Sequence, residues 1–82
     1  MFNMFKRRKA MTVCVDEKYY FDVDELISKI NMGWTHVCYA NGKAYLGFET
    51  KLTMGEVAKL IKQKLYKTEA EVVGGVIFVK FN

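Results

Sequence analysis

Trp34-Thr-His-Val-Cys-Tyr-Ala-Asn-Gly-Lys-Ala-Tyr-Leu-Gly-Phe-Glu49 is the stretch from which the fold is read. Asn41-Gly42 stands between two alternating runs, and this dipeptide is the preferred centre of a two-residue type I′ hairpin, which needs positive φ at both positions. Such a turn fixes the register, so Ala40 opposes Lys43, Cys38 opposes Tyr45 and His36 opposes Gly47. Side chains alternate between the faces of a strand. One face therefore carries Thr35, Val37, Tyr39, Ala44, Leu46 and Phe48, the predicted core side. The other carries Trp34, His36, Cys38, Lys43, Tyr45 and Glu49, and is predicted to be at least half solvated.

Helices are predicted on both sides of this hairpin. Upstream, Val23, Leu26, Ile27 and Ile30 fall at i, i+3, i+4 and i+7, one apolar stripe of a helix over 23–32. Asp22-Val-Asp-Glu25 has the form of a capping box, and Gly33 is placed to end the helix in the left-handed conformation. Downstream, Thr53-Met-Gly-Glu56 is a second capping box in the usual residue types. Met54, Val57, Ala58, Ile61 and Leu65 then repeat at helical spacing, which predicts a helix over about 53–66.

The ends of the chain read as strands. Thr12-Val-Cys-Val-Asp16 alternates and Tyr19-Tyr-Phe21 follows a short polar turn, which predicts a first hairpin. In the tail, Gly74-Gly75 sits between strand-forming runs. It makes either a tight hairpin, setting Val72 opposite Ile77 and Glu69 opposite Lys80, or a bulge. The fold class is α+β, an antiparallel sheet with two helices on one face, in the order ββαββαβ with a further closing strand. In that order two ββα units resemble an internal repeat. If the first hairpin is a single strand, the order becomes βαββαβ, the ferredoxin-like alternative.

At 82 residues the chain is one domain, 51% of it apolar and 27% charged, which suits a packed core rather than a disordered tail. Lys6, Arg7, Arg8 and Lys9 equal the whole net charge of +4, and residues 1–10 read as a basic arm before a domain over 11–82. The rest is formally neutral but segregated, with an acidic corner at Asp16, Glu17, Asp22, Asp24 and Glu25 and a basic helix at Lys59, Lys62, Lys64 and Lys67. No apolar run approaches the length of a membrane span, so no membrane insertion is expected. The start has no apolar segment of the secretory kind. Two cysteines are too few for a disulfide framework, so a cytoplasmic setting is expected.

Catalytic signals are thin. His36 is the one histidine, and no nucleophile elbow or phosphate-binding glycine loop occurs. A Cys-His pair drawn from His36 with Cys38 or Cys14 has no evident third group to orient the base. Cys14, His36, Cys38 and Asp16 share a face if the first strand lies beside the hairpin, but their spacing carries no metal signature. The expectation is a non-enzymatic protein with no cofactor and no metal.

The wet face of the hairpin gives the candidate protein-binding residues Trp34, His36, Lys43 and Tyr45, since Trp and Tyr anchor interface hot spots. The alternative is nucleic-acid binding through Lys6, Arg7, Arg8 and Lys9, the helix residues Lys59, Lys62 and Lys67, and aromatic stacking. Lysine outnumbers arginine eleven to two, a skew that accompanies AT-rich coding. With the small size it suggests a phage-encoded effector acting on a host protein in the host cytoplasm. Exposed strand edges make a homodimer a further expectation.

Overall fold

The computed structural model describes residues 7–82. Its order is β1 (Lys9–Asp16), α1 (Tyr20–Ser28), β2 (Thr35–Ala40), β3 (Lys43–Thr50), α2 (Met54–Lys64), β4 (Thr68–Val73) and β5 (Val76–Phe81), with a 3₁₀ turn at Glu17–Tyr19 before α1. The chain is α+β, with a five-stranded mixed sheet in the order β2-β3-β1-β5-β4.

The central hairpin has the predicted register: Ala40 faces Lys43, Cys38 faces Tyr45 and His36 faces Gly47. Asn41 and Gly42 both have positive φ, at 52° and 76°, as a type I′ turn requires. Thr53 caps α2 and its capping box is complete, Thr53 N donating to Glu56 Oε1 at 2.8 Å and Glu56 N to Thr53 Oγ1 at 3.1 Å. The tail is a hairpin, with Val72 opposite Ile77 and Glu69 opposite Lys80.

The predicted first hairpin does not form. β1 is flanked on both sides, antiparallel by β3 and parallel by β5. No edge of β1 is left for a strand at Tyr19–Phe21, and the sheet is mixed rather than antiparallel. Those residues turn instead through the 3₁₀ segment, where the Asp16 carboxylate accepts from Lys18 N at 3.4 Å, into α1. Tyr20 extends the Val23/Ile27 stripe back by one turn, so α1 starts earlier than predicted and Asp22 lies in its first turn instead of capping it. Gly33 does not close α1 either. The helix ends on Lys29 N to Leu26 O and on Ile30 N and Asn31 N to Ile27 O. Asn31 Oδ1 then accepts from Glu49 N at 3.2 Å, and Met32 N donates to Glu49 O at 2.8 Å, tying the connection to the end of β3.

The first six regular elements thus run βαββαβ, the order of the alternative, and a ββα repeat is not realised. β5 adds a seventh element between β1 and β4. β1 begins at Lys9, two residues inside the segment read as an arm, because Lys9 and Ala10 pair with Thr50 and Glu49.

Both helices pack on one face. Met11, Val13, Val15, Ala44, Leu46, Phe48, Ile77 and Val79 from the three inner strands meet Val23, Leu26, Ile27, Val57, Ala58 and Ile61 from α1 and α2 in one cluster. Of the residues predicted on the core side of the central hairpin, those of β3 are buried. Thr35 and Tyr39 of β2 are exposed, because β2 is the outermost strand. Among the described residues no helix is long and apolar enough to cross a membrane. Phe48 is fully buried, so Phe48→Ala is expected to cost about 3–5 kcal/mol by chemical denaturation. Thr53→Ala is expected to cost about 1 kcal/mol through the lost cap.

Candidate functional site

Among the described residues the other face of the sheet carries no helix. The registers place on it Ala10, Thr12, Cys14 and Asp16 of β1, Lys43, Tyr45, Gly47 and Glu49 of β3, His36 and Cys38 of β2, Val76, Phe78 and Lys80 of β5, and Glu69 and Glu71 of β4. One row across the strands reads Cys38, Tyr45, Cys14, Phe78, Glu71. Cys14 is buried in the middle of this row, although no helix covers it, and Tyr45 is half-buried beside it. Phe78, on the other side, remains 42% exposed.

All four residues predicted for protein binding come to this face. His36, Lys43 and Tyr45 reach it by strand parity. Trp34, just ahead of β2, reaches it because position 47 is glycine: a Cβ there would stand 3.3 Å from Trp34 Cζ3. The indole therefore rests on bare backbone of β3 and is 48% exposed. Phe78 is the residue that the sequence reading missed. Its run, Val76-Ile-Phe-Val-Lys-Phe81, is too uniformly apolar to show which side chains face the helices, and only the parallel pairing with β1 decides it.

Charge on this face is net negative. Asp16 stands opposite Lys43 and Glu69 opposite Lys80, while Glu49 and Glu71 stand opposite Ala10 and Phe78. A hollow of about 870 Å³ follows β5, lined on the open face by Cys14, Tyr45 and Phe78 and continuing round the end of the sheet to Tyr19, Lys62 and Phe81. Because its walls come from both faces, it is a rim groove rather than an enclosed cleft. Tyr19 and Phe81 close its far end as a stacked pair, 4.2 Å between ring centroids.

The residues of the nucleic-acid alternative are not gathered here. Lys59 and Lys62 are exposed on α2, which packs on the covered face. Lys67 lies in the turn after α2, its Nζ 5.4 Å from the Tyr66 ring centroid. Arg7 and Arg8 precede β1, Lys9 is its first residue, and Lys6 lies outside the described residues.

His36 and Cys38 meet at the sheet edge, Nε2 to Sγ 3.4 Å. That is within reach of a nucleophile and its base. Both are exposed, however, and among the described residues the imidazole makes no further hydrogen bond that would orient it as a base. Cys14 is two strands away, about 10 Å, with Tyr45 between. Among the described residues no three His, Cys, Asp or Glu side chains of one chain converge on a metal position.

No protein-family model matches this chain, and no curated protein or solved structure matches it either.

Tyr45 has its pKa raised, first by a side-chain hydrogen bond to Cys14, which holds the phenol in its neutral form, then by the Cys14 charge and by desolvation. A phenol that ionises less readily folded than unfolded stabilises the fold below its ordinary value of 10.0. This contribution is lost as pH rises through the folded value. Cys14→Ala is therefore expected to bring the Tyr45 titration down toward 10.0, read from its ring signals by NMR. An unchanged midpoint would show that the sulfur does not hold the phenol.

Proposed function

We propose that this chain is a non-enzymatic protein-binding module that docks through the open face of its sheet. The observation that carries the reading is the combination on that face of Trp34, Tyr45 and Phe78 with an excess of carboxylates over lysines. Aromatic side chains that stay partly exposed on a rigid sheet supply contact area at little entropic cost, the composition of an interface hot spot. The surrounding charge selects the class of partner. A polyanion tracks basic charge along its binding groove. Here Glu49, Glu69, Glu71 and Asp16 fringe the aromatics, which suits a protein surface with an apolar centre and a basic rim.

The absence of catalysis is part of the proposal. An exposed Cys-His contact at a sheet edge, with no orienting group among the described residues and an open groove beside it, supports a non-catalytic reading. Small size and lysine-rich composition add the proposal of a phage-encoded effector that inhibits a host protein in the host cytoplasm.

Fluorescence anisotropy on labelled single- and double-stranded DNA and RNA, at about 50 and 200 mM salt, tests this reading. Arg7 and Arg8 are best neutralised by substitution with alanine, because truncation at residue 11 would remove two paired residues of β1. Binding is expected to be weak and to disappear in the Arg7→Ala/Arg8→Ala variant. A protein partner captured from nuclease-treated lysate is expected to be lost on Tyr45→Ala or Phe78→Ala. Tight nucleic-acid binding that survives neutralisation and falls steeply with salt would overturn the reading in favour of the alternative.

A further inference from the structure

β2 is the outermost strand on one side of the sheet, and its sequence, Thr35-His-Val-Cys-Tyr-Ala40, contains no charge and no proline. Natural edge strands are usually blunted by lysine, proline or a bulge. This one has none of these, since its pairing with β3 is continuous from Thr35 to Ala40. Its backbone polarity follows from the turn. Ala40 and Lys43 flank a two-residue hairpin loop and form a hydrogen-bonded pair, so Ala40, Cys38 and His36 spend their amides on β3. Thr35, Val37 and Tyr39 turn theirs outward, to the free edge.

Two further features sit beside this edge. On the covered face, Tyr39 packs against Tyr20 at 5.9 Å and Tyr20 against Phe21 at 5.3 Å, yet Tyr39 is 55% and Phe21 80% exposed. On the open face, His36 Nε2 and Cys38 Sγ are 3.4 Å apart. Zn–S near 2.3 Å and Zn–N near 2.0–2.1 Å at a tetrahedral angle put two such ligands about 3.5 Å apart. The pair already has the spacing of two zinc ligands, and both are exposed.

We propose that His36 and Cys38 are half of a zinc site, completed by the same two residues of a second copy of this chain paired antiparallel along β2. A twofold axis through Val37 sets Val37 opposite its own copy and Thr35 opposite Tyr39, all residues with outward amides. His36 then opposes Cys38 of the second copy, and Cys38 opposes His36 of the second copy. These are non-hydrogen-bonded pairs, in which Cα atoms are about 4.5 Å apart and side chains lie closest. The four ligands form a Cys₂His₂ set, the donor combination that selects zinc. Each thiol releases its proton to solvent on binding, and two thiolates neutralise the ion on a strand that carries no charge of its own.

Metal rather than contact alone closes this interface. Exposed Tyr39 lies along the seam, where the second copy covers it. The pairing is side by side and leaves the open faces uncovered, so it stands independently of the docking reading.

The test is the mass of the full chain by light scattering in a non-thiol reductant, with EDTA or with added zinc, and metal content measured on the same fractions. Zinc is expected to double the mass at one metal per two chains, with EDTA returning the monomer. Cobalt in its place is expected to give the absorption of a tetrahedral thiolate site. Cys38→Ser and His36→Ala, both at exposed positions, are expected to keep the far-ultraviolet dichroism of the fold and to stay monomeric with zinc. A dimer that persists in EDTA or in Cys38→Ser would overturn the proposal. So would one metal per monomer, or no metal bound.

Discussion

The type I′ turn at Asn41-Gly42 is the constraint on which the rest of this structure depends. Two residues with positive φ leave β2 and β3 one way to pair. A slip of one residue would carry Ala44, Leu46 and Phe48 out of the core and put Lys43, Tyr45 and Glu49 into it. The same turn decides which amides of β2 point at β3 and which point at solvent. Core, open face and free edge are three consequences of one local geometry.

Most local signals were therefore legible, apart from the Asp22 and Gly33 ends of α1, and the non-local ones were not. The central turn, the Thr53-Glu56 capping box and the tail hairpin are each complete within a few residues; the first two have the predicted form, and the tail takes the hairpin of its two readings. Tyr19, Tyr20 and Phe21 misled because aromatic side chains favour strands as individuals. What overrode that preference was the occupancy of both sides of β1, which is a property of the whole sheet. The parallel insertion of β5 between β1 and β4 has no local signature, and it closes the place a first hairpin would have taken.

The candidate site divides along the same line. Trp34, His36, Lys43 and Tyr45 were readable because the turn fixes their parity, and Gly47 lets the indole lie down beside them. Phe78 and the burial of Cys14 depend on β5 and were not readable. Net charge was the least informative quantity. A formal +4 for the chain coexists with a sheet face on which carboxylates outnumber lysines, because strand parity sorts charges that composition only adds.

Amide hydrogen exchange along β2, followed residue by residue by NMR in the presence of EDTA, tests most directly whether the turn sets both register and edge. The account predicts slow exchange at His36, Cys38 and Ala40, whose amides bond to β3, and fast exchange at Val37 and Tyr39, whose amides face solvent. The reverse pattern, or equal protection at all five positions, would contradict it, because the register or the free edge would then be wrong.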